Sequence, residues 1–239
     1  MIYQLYKFSG AALFVTALSF ANTCPTASLQ TYETTVDGPG CTVGSVLFNN
    51  FQYQTFASGF NVPVPATGVM LTPLDDAHGA GFKISFSGGL TAYQDANDSE
   101  IQYTATAVGP DTLDDVYSAV GGTVTGPAQD RLVEDLCPSI PPSLPPNSTC
   151  ALNTGVINMI LSGSQTLVST SESFAPSEGL AVLKDIQALA CPPGQACGTA
   201  TVDFVINQVS TPEPGEYGVL AIALAVIAAI RYRRSKITL

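Results

Sequence analysis

A chain of 239 residues with only 11% charged residues still carries a net charge of −11, from 8 Lys plus Arg against 19 Asp plus Glu. Five of the cations (Lys7, Arg231, Arg233, Arg234, Lys236) sit at the two ends, leaving Lys83, Arg131 and Lys184 against seventeen acids between them, a net of about −14. Such a body has no basic face for nucleic acid, and one His with no Trp leaves few catalytic centres to consider.

The first segment reads as a leader. Met1 to Lys7 is short and cationic, Phe8 to Phe20 is almost wholly apolar, and Ser19-Phe20-Ala21 offers the small residues a signal peptidase accepts. This three-part pattern predicts a signal peptide over 1–21 with cleavage between Ala21 and Asn22. A retained N-terminal anchor is disfavoured, because thirteen apolar residues are too few to span a bilayer. Lipidation at Cys24 is disfavoured too, because Ala21-Asn22-Thr23 is a poor lipobox.

The body, 22–210, alternates apolar and polar residues with period two. Phe82 to Ser87, Ile101 to Val108, Val156 to Leu161 continuing through Ser169, and Thr201 to Val209 read as strands. Further strand candidates are 29–36, 43–56, 67–73, 88–94, 115–125 and 179–189. The last contains Ala181 to Ile186, helical by propensity but alternating in pattern. About ten short strands separated by Gly, Pro, Asn and Asp turns predict an all-β fold, an antiparallel β-sandwich, flanked by a signal helix and a C-terminal hydrophobic helix.

All six cysteines follow the cleavage site, which predicts three disulfides in an oxidising compartment. Fifteen connectivities are open to six cysteines. The near pairs Cys24 with Cys41, Cys137 with Cys150, and Cys191 with Cys197 are the expected bridges. Cys137 to Cys150 brackets five prolines, a stiff loop between the halves of the sandwich.

The tail, 211–239, has three parts. Pro212-Glu213-Pro214 is rigid and extended. Tyr217 to Ile230 is fourteen residues without a charge, a predicted transmembrane helix of about 21 Å. Arg231, Arg233, Arg234 and Lys236 then form a basic cluster that should stay cytoplasmic. This arrangement resembles the PEP-CTERM sorting signal of Gram-negative bacteria, also called the ice-binding protein C-terminal motif. Thr211, where many members carry Val, and Tyr232, which interrupts the basic cluster, depart from the pattern. The resemblance implies recognition by an exosortase, removal of the tail near Pro212–Pro214, and delivery from the inner membrane to the cell surface or extracellular matrix. The body also resembles exported PEP-CTERM proteins of acidobacterial type, through GCTVG (40–44), FNNFQY (48–53), GFKISFSGG (81–89) and LKDIQAL (183–189). That family's activity is uncharacterised.

No catalytic constellation stands out. His78 lies in a loop-like stretch, and no Gly-x-Ser-x-Gly elbow accompanies it. Paired carboxylates at Asp75-Asp76, Asp114-Asp115 and Glu134-Asp135 suit turns as well as a glycosidase cleft. Asp95, Asn97, Asp98 and Glu100 form a weak calcium candidate that starts like an EF-hand loop but lacks its later glycine and acid. Threonines at 104, 106, 123, 125, 199 and 201 follow no period that a flat ice-binding face would need. The expectation is an exported, non-enzymatic surface or matrix protein without cofactor. Its partners would be the exosortase, extracellular polysaccharide or matrix proteins, and the membrane before processing. The alternatives are an exported polysaccharide hydrolase using Asp95 or Asp98, and a plain membrane-anchored envelope domain.

Overall fold

β-Branched and aromatic residues at alternate positions make strands that bury one face. A computed structural model of the chain describes residues 22–137, 155–191 and 198–211. Ten long strands carry the fold: β4 (Val46–Ala57), β5 (Val69–Asp76), β6 (Gly79–Ala92), β7 (Ala96–Ala107), β8 (Leu113–Val124), β9 (Gln129–Cys137), β10 (Gly155–Ser162), β11 (Leu167–Ser177), β12 (Gly179–Leu189) and β13 (Ala200–Ser210). Three short ones precede them: β1 (Asn22–Thr23), β2 (Ala27–Ser28) and β3 (Cys41–Val43).

The strands form two sheets. One has seven strands in the order β1-β3-β4-β7-β12-β9-β10, the other six in the order β11-β8-β13-β6-β5-β2. Every pairing is antiparallel except β1 with β3. The expected all-β sandwich is therefore present. The signal helix, the Pro-rich loop beyond Cys137 and the C-terminal helix lie outside the described residues. Among the described residues no helix is long and apolar enough to cross a membrane.

The inner faces meet over an aromatic cluster. Phe48 and Phe82 pack edge to face at 4.8 Å, Tyr32 and Phe51 at the same distance, and Tyr103 leans on Phe48 at 5.9 Å. All five rings are buried. Edge-to-face pairs of this kind add about 0.5–1.5 kcal/mol each beyond area burial.

One predicted strand is wrong. Residues 29–36 are helical, a turn of α-helix (α1, Leu29–Thr31) running into a π-helical turn (Tyr32–Val36). Ser28 caps it, its hydroxyl accepting from the Thr31 amide at 3.3 Å. Leu29, Tyr32 and Val36 are the buried face, and their spacing of three and four is helical. Three threonines in the segment favour strand by composition, but the spacing decides.

Two strand boundaries also move. The expected run 156–169 is broken after Ser162 by Gly163, at φ +65°, and resumes as β11. The expected separate strand 88–94 is the end of β6, which continues through Gly88 and Gly89 at φ +80° and +79°.

Candidate functional site

The expected disulfide Cys24–Cys41 is formed, tying the chain start to β3. Cys137 and Cys191 are disulfide-bonded as well. Their expected partners Cys150 and Cys197 lie outside the described residues, as do Ala21 and the sorting residues Pro212, Glu213, Pro214, Arg231, Arg233 and Arg234.

The calcium candidate does not converge. Asp95 is in the hairpin before β7, at φ +58°, and the rest of the cluster is in the strand itself. Strand side chains alternate between faces. Asn97 turns inward, donating to the carbonyls of Val62 and Thr91, both at 3.0 Å. Asp98 and Glu100 belong to the opposite face, so four neighbours in sequence cannot surround one ion. Among the described residues no group of three His, Cys, Asp or Glu side chains is placed to hold a metal.

Alternation splits the adjacent carboxylates for the same reason. Glu134 points into the core and is fully buried, while Asp135 is half-buried on the other face of β9. The His78 ring stacks on Tyr117 at 4.0 Å between centroids.

Long-range pairing instead creates a carboxyl pair invisible in the sequence. Asp98 on β7 and Asp185 on β12 lie diagonally across the strand pair, with the Gln187 side chain between them. Gln187 donates to Asp185 Oδ2 at 3.0 Å and reaches Asp98 Oδ2 only at 3.5 Å. Burial, and then the charge of Asp185, pushes the Asp98 carboxyl up to about 7. Asp95 is not part of this pair. The Asp98 carboxyl can hold a proton near neutrality, but neither Asp98 nor Asp185 lines the small hollow at Glu100, Gln102 and Leu183, which is only about 10 Å³.

Three core positions were also missed: Tyr103, Lys184 and Asn207, which meet Glu134 and Ser118 in a polar cluster between the sheets. A signal for one existed. Lys184 shares the inward parity of Leu180, Val182 and Ile186 on β12.

A roomy concavity with apolar side chains in its lining lies at one end of the sandwich, about 410 Å³ between the 60–68 loop and the end of β6. Phe60 and Tyr93 stand out of its lining, 88% and 64% exposed, with Val62 beside them. Asn61 fastens the loop: its Nδ2 donates to the Ala96 carbonyl at 3.1 Å and to the Gln94 carbonyl, and its Oδ1 accepts from the Tyr93 amide at 3.0 Å. Ser87, Thr91 and Asn61 supply polar atoms, and the lining holds no charged side chain. A wide, neutral groove with two protruding rings on a pinned loop can take an uncharged, part-apolar ligand such as a sugar ring.

No family model matches the chain, and no curated protein matches its sequence. Solved structures are similar to it. The carbohydrate-binding module TmCBM61, in complex with beta-1,4-galactotriose, is 9% identical over 79% of this chain and 99% of that one, with a TM-score of 0.35. The enzymatically active domain of Bacteriophage CBA120 tailspike protein 4 is 10% identical over 67% of this chain and 19% of that one, with a TM-score of 0.30.

Proposed function

We propose that this is an exported, non-enzymatic glycan-binding protein of the cell surface or extracellular matrix, sorted through its PEP-CTERM tail. The observation that carries the binding half is the neutral groove at 60–68 with Phe60 and Tyr93 exposed beside it. Exposed rings on a hydrogen-bonded loop cost little ordering on binding and offer flat apolar faces to a pyranose. The absence of charge in the lining, on a body of about −14, favours a neutral glycan over an acidic one. Export is supported by the disulfide Cys24–Cys41, which needs an oxidising compartment.

The test is retention of the purified full chain on immobilised neutral matrix polysaccharide from the producing cell. Binding that exceeds a neutral control protein and resists added salt is expected. No retention on any neutral glycan sinks the binding half. Sorting is checked separately by the intact mass of the protein from the surface fraction. A mass beginning at Asn22 and ending near Pro212–Gly215 is expected, and one that runs to Leu239 means a plain anchored envelope domain.

One observation favours a second reading, a polysaccharide hydrolase: the Asp98 carboxyl, raised to about 7, is poised as a general acid. Turnover of the producer's own glycan that disappears in Asp98→Asn establishes it. Lack of turnover by the native chain removes it.

A further inference from the structure

Lys184 on β12 is directly opposite Glu134 on β9 in the seven-stranded sheet. Asn207 on β13 is directly opposite Ser118 on β8 in the six-stranded sheet. All four side chains are at most 1% exposed. The two pairs meet across the middle of the sandwich. Lys184 Nζ donates to Glu134 Oε2 at 2.5 Å, and Asn207 Nδ2 donates to Glu134 Oε1 at 2.8 Å. One carboxylate thus holds a lysine amine and an asparagine amide nitrogen at once. The Tyr103 hydroxyl donates to Asn207 Oδ1. Ser118 Oγ accepts from Asn207 Nδ2 at 2.9 Å and donates to Glu134 Oε2.

As a stabilising device this cluster is a poor investment. Taking both ions out of water costs several kcal/mol each, and an apolar core of equal volume is often as stable. Its parts match the requirements of acyl transfer instead: a nucleophile, an amide carbonyl with a donor on its oxygen, and a base touching both the nucleophile and the leaving nitrogen.

We propose that Lys184 and Asn207 join in an intramolecular isopeptide bond, with Glu134 as the catalytic proton carrier. Lys184 passes a proton to Glu134, and the free amine adds its lone pair to Asn207 Cγ. The Tyr103 hydroxyl stabilises the negative charge that develops on Oδ1. Glu134 delivers its proton to Nδ2, takes the second proton from Nζ and delivers that as well. The Nζ–Cγ bond forms, the Cγ–Nδ2 bond breaks, the nitrogen leaves as ammonium, and Glu134 ends as the carboxylate it began as. No oxidant and no co-reactant is consumed. Burial favours the neutral amine this needs, lowering the Lys184 pKa against the opposing pull of the Glu134 charge. The rings and aliphatic side chains around the cluster exclude the water that would compete for Asn207.

The product staples β12 in one sheet to β13 in the other. Unlike a disulfide, such a link survives reducing conditions.

The test is mass spectrometry of the native full chain after denaturation, reduction and proteolytic digestion. A branched peptide is expected that carries both Lys184 and Asn207 and is lighter than its two linear parts by one ammonia. A population made only of linear peptides overturns the proposal. A branched peptide lighter by one water also overturns it, since the link would then be to a carboxyl such as Glu134. Glu134→Gln keeps the shape and removes the base, so a folded Glu134→Gln chain should give linear peptides only. Branching at the native level in that variant overturns the assignment. Should Glu134→Gln not fold, Tyr103→Phe serves in its place, and the branched fraction should form at least tenfold more slowly.

Discussion

Asp98 and Asp185, diagonal neighbours on adjacent strands of the seven-stranded sheet, both accept from the Gln187 side-chain amide, at 3.5 Å and 3.0 Å. The fold disfavours the charged form of Asp98, whose carboxyl is raised from 3.8 to about 7. Burial is the larger cause and the Asp185 charge the second. Asp185→Asn should therefore lower the Asp98 titration midpoint only part of the way toward the ordinary 3.8. Carboxyl-detected NMR titration reads this directly. An unchanged midpoint would mean that the pair is not coupled.

Asp130 presents the same sign with a different cause. It is fully buried, its carboxyl lies against Gly122, and neither oxygen has a hydrogen-bond partner among the described residues. Burial, and then the charge of Asp203, raises it from 3.8 to about 7. The fold favours its protonated form, so its contribution is complete below pH 3.8 and is lost as the pH rises through about 7. At ~1.4 kcal/mol per tenfold change, that loss is on the order of 4 kcal/mol. Asp130→Asn should flatten the fall in urea midpoint between pH 4 and pH 8 and be the more stable protein at pH 8. A variant with the same pH slope as the native chain would refute this account.

Most strands were legible because their alternation is local. β7, β12 and β13 follow from apolar residues at every second position. The helix at Leu29–Val36 was legible in principle, since the spacing of Leu29, Tyr32 and Val36 outweighs their β-prone neighbours. The sites were less so. Asp95 to Glu100 looked like a cluster because the residues are adjacent, and the strand period scatters them. Lys184 could be assigned to the core by its parity, but its partners Glu134 and Asn207 are brought together only by sheet order, Glu134 from 50 residues away. Strand order is set by the packing of the whole sandwich and leaves no local mark.

Cys24–Cys41 closes a loop of sequence separation 17 that contains the Leu29–Val36 helix. It also holds the parallel pairing of Asn22 with Cys41 and of Thr23 with Thr42. A loop of this length confers about 3 kcal/mol by restricting the unfolded chain. Replacing both cysteines by Ser should lower the unfolding free energy by roughly that amount, with early loss of amide protection over residues 22–36 in hydrogen exchange. A loss below about 0.5 kcal/mol would show that Leu29 and Tyr32 hold the segment without the bridge.

Phe60 and Tyr93 separate binding from stability. Both side chains stand largely in solvent, so truncating them leaves no core cavity, and Phe60→Ala with Tyr93→Ala should move the unfolding free energy by less than about 0.5 kcal/mol. If they are the platforms on which a neutral glycan lies, the same double variant should weaken binding by tenfold or more, about 1.4 kcal/mol. Asn61→Ala should act differently. It frees the loop from the Gln94 and Ala96 carbonyls and from the Tyr93 amide, so the rings remain but lose their fixed positions. Its expected signature is weaker binding with a larger unfavourable entropy in calorimetry, because the loop must then be ordered on contact. Full affinity in the double variant would move the glycan site away from this groove, whatever the protein binds.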